Sequence, residues 1–125
     1  MLISNKPSIL IVDDDLAILS VFRRIFERKG YSVTIAEKGE QAVKKLTANK
    51  FDIALIDFTL QDMEGTTLLP IIKKSSPKTL RIMLTGKLTA KDTAKEAQVF
   101  LQKPVDPEKL LSIINTKIRN MNSEE

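Results

Sequence analysis

Residues 8–15 read SILIVDDD, a run of strand-forming side chains that ends abruptly in three consecutive carboxylates. A short apolar run bounded by polar residues is the pattern of a buried strand. Two carboxylates about 4 Å apart repel by roughly 4 kcal/mol at an effective dielectric of 20. The acidic end therefore needs either solvent, as a cluster of turn acids, or a divalent cation. The choice depends on what the rest of the chain brings to the same place.

Outward from this strand, short apolar runs alternate with amphipathic segments. Residues 16–30 (LAILSVFRRIFERKG) read as a helix with Leu16, Leu19, Val21, Phe22, Ile25 and Phe26 on a broad apolar face. Asp15 is its expected N-cap, and Gly30 its stop. Residues 31–37 alternate as a second strand, and 39–50 place Ala42, Val43 and Leu46 at helical spacing. A third strand, 51–57 (FDIALID), leads into a helix over 65–76 with Thr66 or Thr67 as the expected cap and Pro70 in or just after the first turn. Strands follow at 79–85 (TLRIMLT) and 99–103 (VFLQK). A last helix spans 106–121, with Asp106 at the N-cap, Pro107 in the first helical position and Leu110, Leu111, Ile114 and Ile118 toward the core.

Five strands interleaved with helices predict a single α/β domain with a doubly wound, five-stranded parallel sheet in the flavodoxin-like order 2-1-3-4-5. The domain is expected over 8–121, with short flexible ends at 1–7 and 122–125 and no effector domain. In that order the first and third strands are neighbours at the topological switch point, where ligands collect beyond the carboxyl ends of the strands.

Composition narrows the chemistry. The 125 residues contain neither Cys nor His. That excludes disulfides, thiolate nucleophiles, Ser-His catalysis and His- or Cys-ligated metals, and fits a reducing, cytoplasmic setting. Apolar content of 42% and charged content of 29% are ordinary for a soluble globular protein. No apolar stretch approaches the roughly 18 residues of a membrane span, and no signal peptide pattern opens the chain. The net charge of +4 is spread along the whole sequence, so direct nucleic-acid binding is not expected.

Each strand ends on a residue with chemistry. The first delivers Asp13 and Asp14, the third Asp57, the fourth Thr85 followed by Gly86, and the fifth Lys103 followed by Pro104. Three carboxylates, a hydroxyl and an ammonium thus converge on one edge of the sheet. This convergence favours the cation. Mg²⁺ takes oxygen ligands octahedrally and needs only one or two protein carboxylates.

The segments ILIVDDD, DIALIDFTLQDMEG, MLTG and FLQKPVD, in this order, resemble the receiver domain of two-component response regulators. The resemblance runs from about Ser8 to Met121. It implies that Asp57 is a phosphoacceptor loaded from the phosphohistidine of a sensor histidine kinase. It implies Mg²⁺ held by Asp13, Asp14, Asp57 and the backbone carbonyl of Thr59, with Lys103 pairing a phosphoryl oxygen and a bond before Pro104 that is often cis. Thr85 would donate its hydroxyl to the acyl phosphate and draw Phe100 inward as the switch. The implied output is a stand-alone protein-interaction switch, or phosphotransfer onward to another protein. The chain would not be an enzyme beyond catalysing its own phosphorylation and dephosphorylation.

Other acids receive local readings: Asp62 and Glu64 as solvated loop acids, with Gly65 meeting a backbone requirement of that loop. Three positions depart from the family pattern. Gln61 stands where a proline is frequent, Lys87 lies two residues past Thr85, and the segment between the fourth and fifth strands is a few residues short, which shortens or shifts its helix. Two rivals share Asp57. A Mg²⁺-dependent aspartyl-phosphate hydrolase of similar fold would place a second Asp where Thr59 stands. A pseudo-receiver scaffold that is never phosphorylated would not need the complete acidic, Thr and Lys set.

Overall fold

The structure, a computed structural model, describes residues 6–86 and 96–123. Five strands form one parallel sheet: β1 (Ser8–Val12), β2 (Ser32–Ala36), β3 (Ile53–Asp57), β4 (Leu80–Thr85) and β5 (Val99–Gln102). Their spatial order is β2-β1-β3-β4-β5, as the alternation predicts. Among the described residues four α-helices accompany them: α1 (Leu16–Arg28), α2 (Gly39–Ala48), α3 (Leu68–Ser75) and α4 (Pro107–Ser123). Lys87 and the helix expected between β4 and β5 fall on residues 87–95, which lie outside the described residues.

Both faces of the sheet are covered, so the central strands carry apolar side chains on both sides. Every residue of β3 and β4 is buried, as are Ile9–Val12 of β1. On one face Ile9, Ile11, Leu55 and Ile82 pack with Leu19, Phe22 and Phe26 of α1 and Leu110 and Ile114 of α4. On the other, Leu10, Ile56 and Met83 pack with Ala42 and Leu46 of α2 and Leu68, Leu69 and Ile72 of α3. At the amino ends of the strands the Ser8 N–H donates to Asp52 Oδ2 (2.8 Å) and the Asp52 N–H to Ser8 Oγ (3.1 Å), which sets β1 against β3.

Local signals place most of the boundaries. Asp15 caps α1, its Oδ1 accepting the Ala17 and Ile18 N–H groups at 2.9 and 3.3 Å. Gly30 follows the C-cap Lys29 at φ +91°, a left-handed conformation that a side chain would resist. The Glu108 N–H donates to Asp106 Oδ1 (3.2 Å) at the start of α4. Pro70 is the third residue of α3, within the first turn.

Two helix expectations are corrected. Leu16 and Val21 do not face the core but are 60% and 47% exposed. The 3.6-residue period puts the buried stripe of α1 on Leu19, Phe22 and Phe26 and leaves only a half-buried margin at Ile18 and Ile25. Neither Thr66 nor Thr67 caps α3. Gly65–Thr67 instead form one 3₁₀ turn that runs directly into the helix, and Thr67 is already helical.

Arg81 is an unexpected guest in a buried strand. It is only 7% exposed. Its Nε donates to the Glu96 carbonyl (2.7 Å) and its Nη1 to the carbonyls of Pro77 and Thr79 (both 3.2 Å). Burial lowers its pKa against the opposing charge of Glu96. These bonds to backbone oxygens satisfy a cation that the sheet would otherwise exclude.

Candidate acidic site at the strand ends

Parallel strands bring their carboxyl ends to one edge, and the register decides which residues meet there. Val12 pairs with Ile56, so the residues that follow them, Asp13 and Asp57, emerge side by side. Asp57 pairs with Leu84, and Thr85 with Gln102, which puts Thr85 and Lys103 one step beyond on the other flank. Oxygens of Asp13, Asp14 and Asp57 all lie within 4.8 Å of one another. Asp13 is 2% exposed and Asp57 8%, while Asp14 reaches solvent.

Lys103 joins the acids. Its Nζ is 2.9 Å from Asp13 Oδ2 and 3.3 Å from Asp57 Oδ1. The Lys103 N–H donates to the Thr85 carbonyl (2.7 Å), and the peptide bond to Pro104 is cis. The Asp15 N–H donates to Asp13 Oδ1 (2.9 Å), so Asp13 is oriented from both sides.

The electrostatics follow from this crowding. Burial is the main reason that the Asp57 carboxyl sits above the ordinary aspartate value, and the charges of Asp13 and Asp14 push the same way. Lys103 opposes them without cancelling them. Burial alone would pull the Lys103 ammonium down, but its hydrogen bond to Asp13 and the charges of both acids hold it above the usual lysine value. Three carboxylates against one ammonium leave two negative charges in excess when all are ionised. An oxygen-only donor set with that excess fits a hard divalent cation such as Mg²⁺ and suits no softer metal.

The remaining expected residues are positioned as follows. Thr85 ends β4 and is buried. Phe100 pairs with Met83 in register and packs, half-buried, against the α2–α3 side of the core. Thr59 faces Glu64 in an isolated antiparallel bridge. The bonds of that bridge run from the Leu60 N–H to the Met63 carbonyl (3.1 Å) and from the Gly65 N–H to the Phe58 carbonyl (2.6 Å). They leave the Thr59 carbonyl itself unused by the bridge. Gly65 is required because a Cβ there would collide with the Asp57 carbonyl oxygen. A cavity of about 360 Å³ opens beside the site, lined by Ile18, Phe22, Leu84, Lys103, Pro104 and Val105.

Asp62 is corrected. It is exposed, but it is not merely solvated. Its carboxylate accepts the Gly39 N–H (2.8 Å) and the Glu40 N–H (3.0 Å) at the start of α2. The sequence signal for this was indirect: Lys38, at the N-cap, is not a capping residue type, so the helix had to find its acceptor elsewhere.

The family model described as "Response regulator receiver domain" matches residues 9–115. The transcriptional regulatory protein GlrR of Escherichia coli K12 is 33% identical over 117 residues, which cover 90% of this chain and 26% of GlrR. The chain thus spans about a quarter of the length of the curated relatives it matches. A CheY-like response regulator receiver domain protein from Methanospirillum hungatei JF-1 superposes with a TM-score of 0.90 at 38% identity, covering 96% of this chain and 99% of that one. A response regulator from Burkholderia pseudomallei, solved with a phosphorylated aspartic acid, calcium ion and citrate, gives 0.81 at 28% identity over 95% of this chain and 72% of its own.

Proposed function

Because the chain belongs to the response regulator receiver domain family, we propose that it is a phosphorylation-dependent switch with Asp57 as its phosphoacceptor. The observation that carries this reading is the meeting of Asp13, Asp14 and Asp57 within 4.8 Å, with Lys103 bridging two of them. Asp13, Asp14, Asp57 and the Thr59 carbonyl would hold Mg²⁺, which would supply positive charge to offset the repulsion between phosphoryl oxygens and the carboxylates.

A carboxylate oxygen of Asp57 attacks the phosphorus of a partner histidine kinase's phosphohistidine. The P–O bond forms as the P–N bond breaks, and the imidazole leaves with the electron pair and takes a proton from solvent. Lys103, already 3.3 Å from Asp57, turns its ammonium to a phosphoryl oxygen and stabilises charge in the transition state. Water later cleaves the acyl phosphate at the same site.

Thr85 donates its hydroxyl to the phosphoryl group, and Phe100, on the neighbouring strand, moves with it. A few kcal/mol of differential contact suffices to shift a population between two such states. The reshaped surface acts on a downstream protein or passes the phosphoryl group onward, in the cytoplasm. The transcriptional role in the names of the bacterial relatives belongs to proteins about four times this chain's length. Among the described residues no helix is long and apolar enough to cross a membrane.

Incubation with a small phosphodonor such as acetyl phosphate and Mg²⁺, followed by intact mass measurement, tests the reading. The chain should gain one phosphoryl group and Asp57→Asn none. A gain that persists in the variant overturns the assignment of Asp57, and sustained release of phosphate over many turnovers favours a hydrolase instead.

A further inference from the structure

The turn between β3 and α3 is fastened at its base and at its tip. At the base, Gly65 packs directly against the Asp57 carbonyl and its N–H donates to Phe58. Thr59 and Glu64 then face one another across the bridge. At the tip are Gln61 and Asp62, neither of which is a proline or glycine whose backbone would define the turn unaided. What holds the tip is the reach of Asp62 to a helix more than twenty residues earlier in the chain, where it accepts two N–H groups of α2.

Those amides are donors that α2 cannot satisfy within itself. Lys38 makes no side-chain cap bond. Gly39, lacking a side chain, leaves the space that Met63 fills, so the turn and the helix lie close enough for both bonds to form. The bonds from Glu40 and Gly39 hold the Asp62 carboxyl below the ordinary value, as expected for an anion that accepts them.

We propose that Asp62 is a positioning residue, clamping the tip of this turn to the N-terminus of α2 and so setting the Thr59 carbonyl for Mg²⁺. The inference rests on the reading of the acidic site as a Mg²⁺ site. With the base pinned by Gly65 and the tip by Asp62, Thr59 sits between two fixed points. Without Asp62 the tip swings, and the carbonyl has to be ordered by the ion itself.

The test is Mg²⁺ titration by calorimetry, with amide hydrogen exchange at Leu60, on the full chain and its variants. Asp62→Ala should weaken Mg²⁺ binding on the order of ten-fold, the lower end of what loss of an outer supporting partner costs. It should also speed exchange of the Leu60 N–H, which bonds to Met63. Because the same change uncaps α2, the double variant Lys38→Ser, Asp62→Ala supplies a local cap. It should regain thermal stability while Mg²⁺ binding stays weak, and Asp62→Asn, which keeps one acceptor oxygen, should recover part of the affinity. Unchanged affinity in Asp62→Ala, or affinity restored by Lys38→Ser, overturns the clamp. No Mg²⁺ uptake by the unaltered chain overturns the metal reading instead, and the clamp then stands or falls on Leu60 exchange.

Discussion

Replacing Asp57 with Asn should make the metal-free chain more stable at neutral pH, although the residue is buried and central to the site. At an effective dielectric of 20, charges 4.8 Å apart repel by about 3.5 kcal/mol, and Asp57 faces both Asp13 and Asp14 within that distance, about 7 kcal/mol together. On the same scale the Lys103 ammonium at 3.3 Å returns about 5 kcal/mol. About 2 kcal/mol of net repulsion remains, in the same direction as the raised Asp57 pKa, to which burial contributes most. Asn keeps the shape without the charge. The expected gain is therefore on the order of 2 kcal/mol, or roughly 6 °C in Tm for a domain of this size.

The gain depends on pH with a definite sign. Below the ordinary value of 3.8 Asp57 is protonated both folded and unfolded, and its charge costs nothing. As pH rises through the elevated native value, the folded state must carry the carboxylate at a penalty that the unfolded chain does not share. The advantage of Asp57→Asn should thus be near zero at about pH 3 and complete at about pH 7. Saturating Mg²⁺ should shrink it. Urea denaturation followed by circular dichroism, in chelator and across that pH range, measures all of this. A variant no more stable than the parent at neutral pH, or an advantage independent of pH, would refute the electrostatic account.

Lys103→Met removes the ammonium that pairs with buried Asp13 from a half-buried position and should destabilise the metal-free chain by about 3 kcal/mol, the low end for breaking a buried pair because Lys103 is partly solvated. Part of this should return with Mg²⁺ in the same urea titrations. Gly65→Ala drives a methyl group into the Asp57 carbonyl and should cost about 1–3 kcal/mol while slowing phosphoryl uptake in the mass assay. Asp15→Ala removes the cap of α1 and should cost about 1 kcal/mol with no change in calorimetric Mg²⁺ affinity. Altered affinity would make Asp15 a metal ligand rather than a cap.

Strand and helix order was legible because it rests on side-chain periodicity and on caps that act within a few residues. ILIV and IALI are apolar on both faces, which only a doubly covered parallel sheet accommodates. The positions of Asp13, Asp57, Thr85 and Lys103 at strand ends followed directly, since parallel strands point one way. Exposure along α1 was less legible: Leu16 and Val21 are apolar, but which helical stripe is buried depends on where the sheet lies, not on hydrophobicity alone. The 3₁₀ turn ahead of α3 likewise answers to Gly65 being pressed against Asp57.

By itself, then, the amino-acid sequence determined the sheet order and the set of charged residues at its carboxyl edge, because both follow from local pattern and chain direction. Only the tertiary structure decided that Lys103 spans Asp13 and Asp57 and that Asp62 caps a helix formed by an earlier segment. Those contacts join residues 22–90 positions apart. No local propensity encodes such separations; they exist only once packing has brought the elements together.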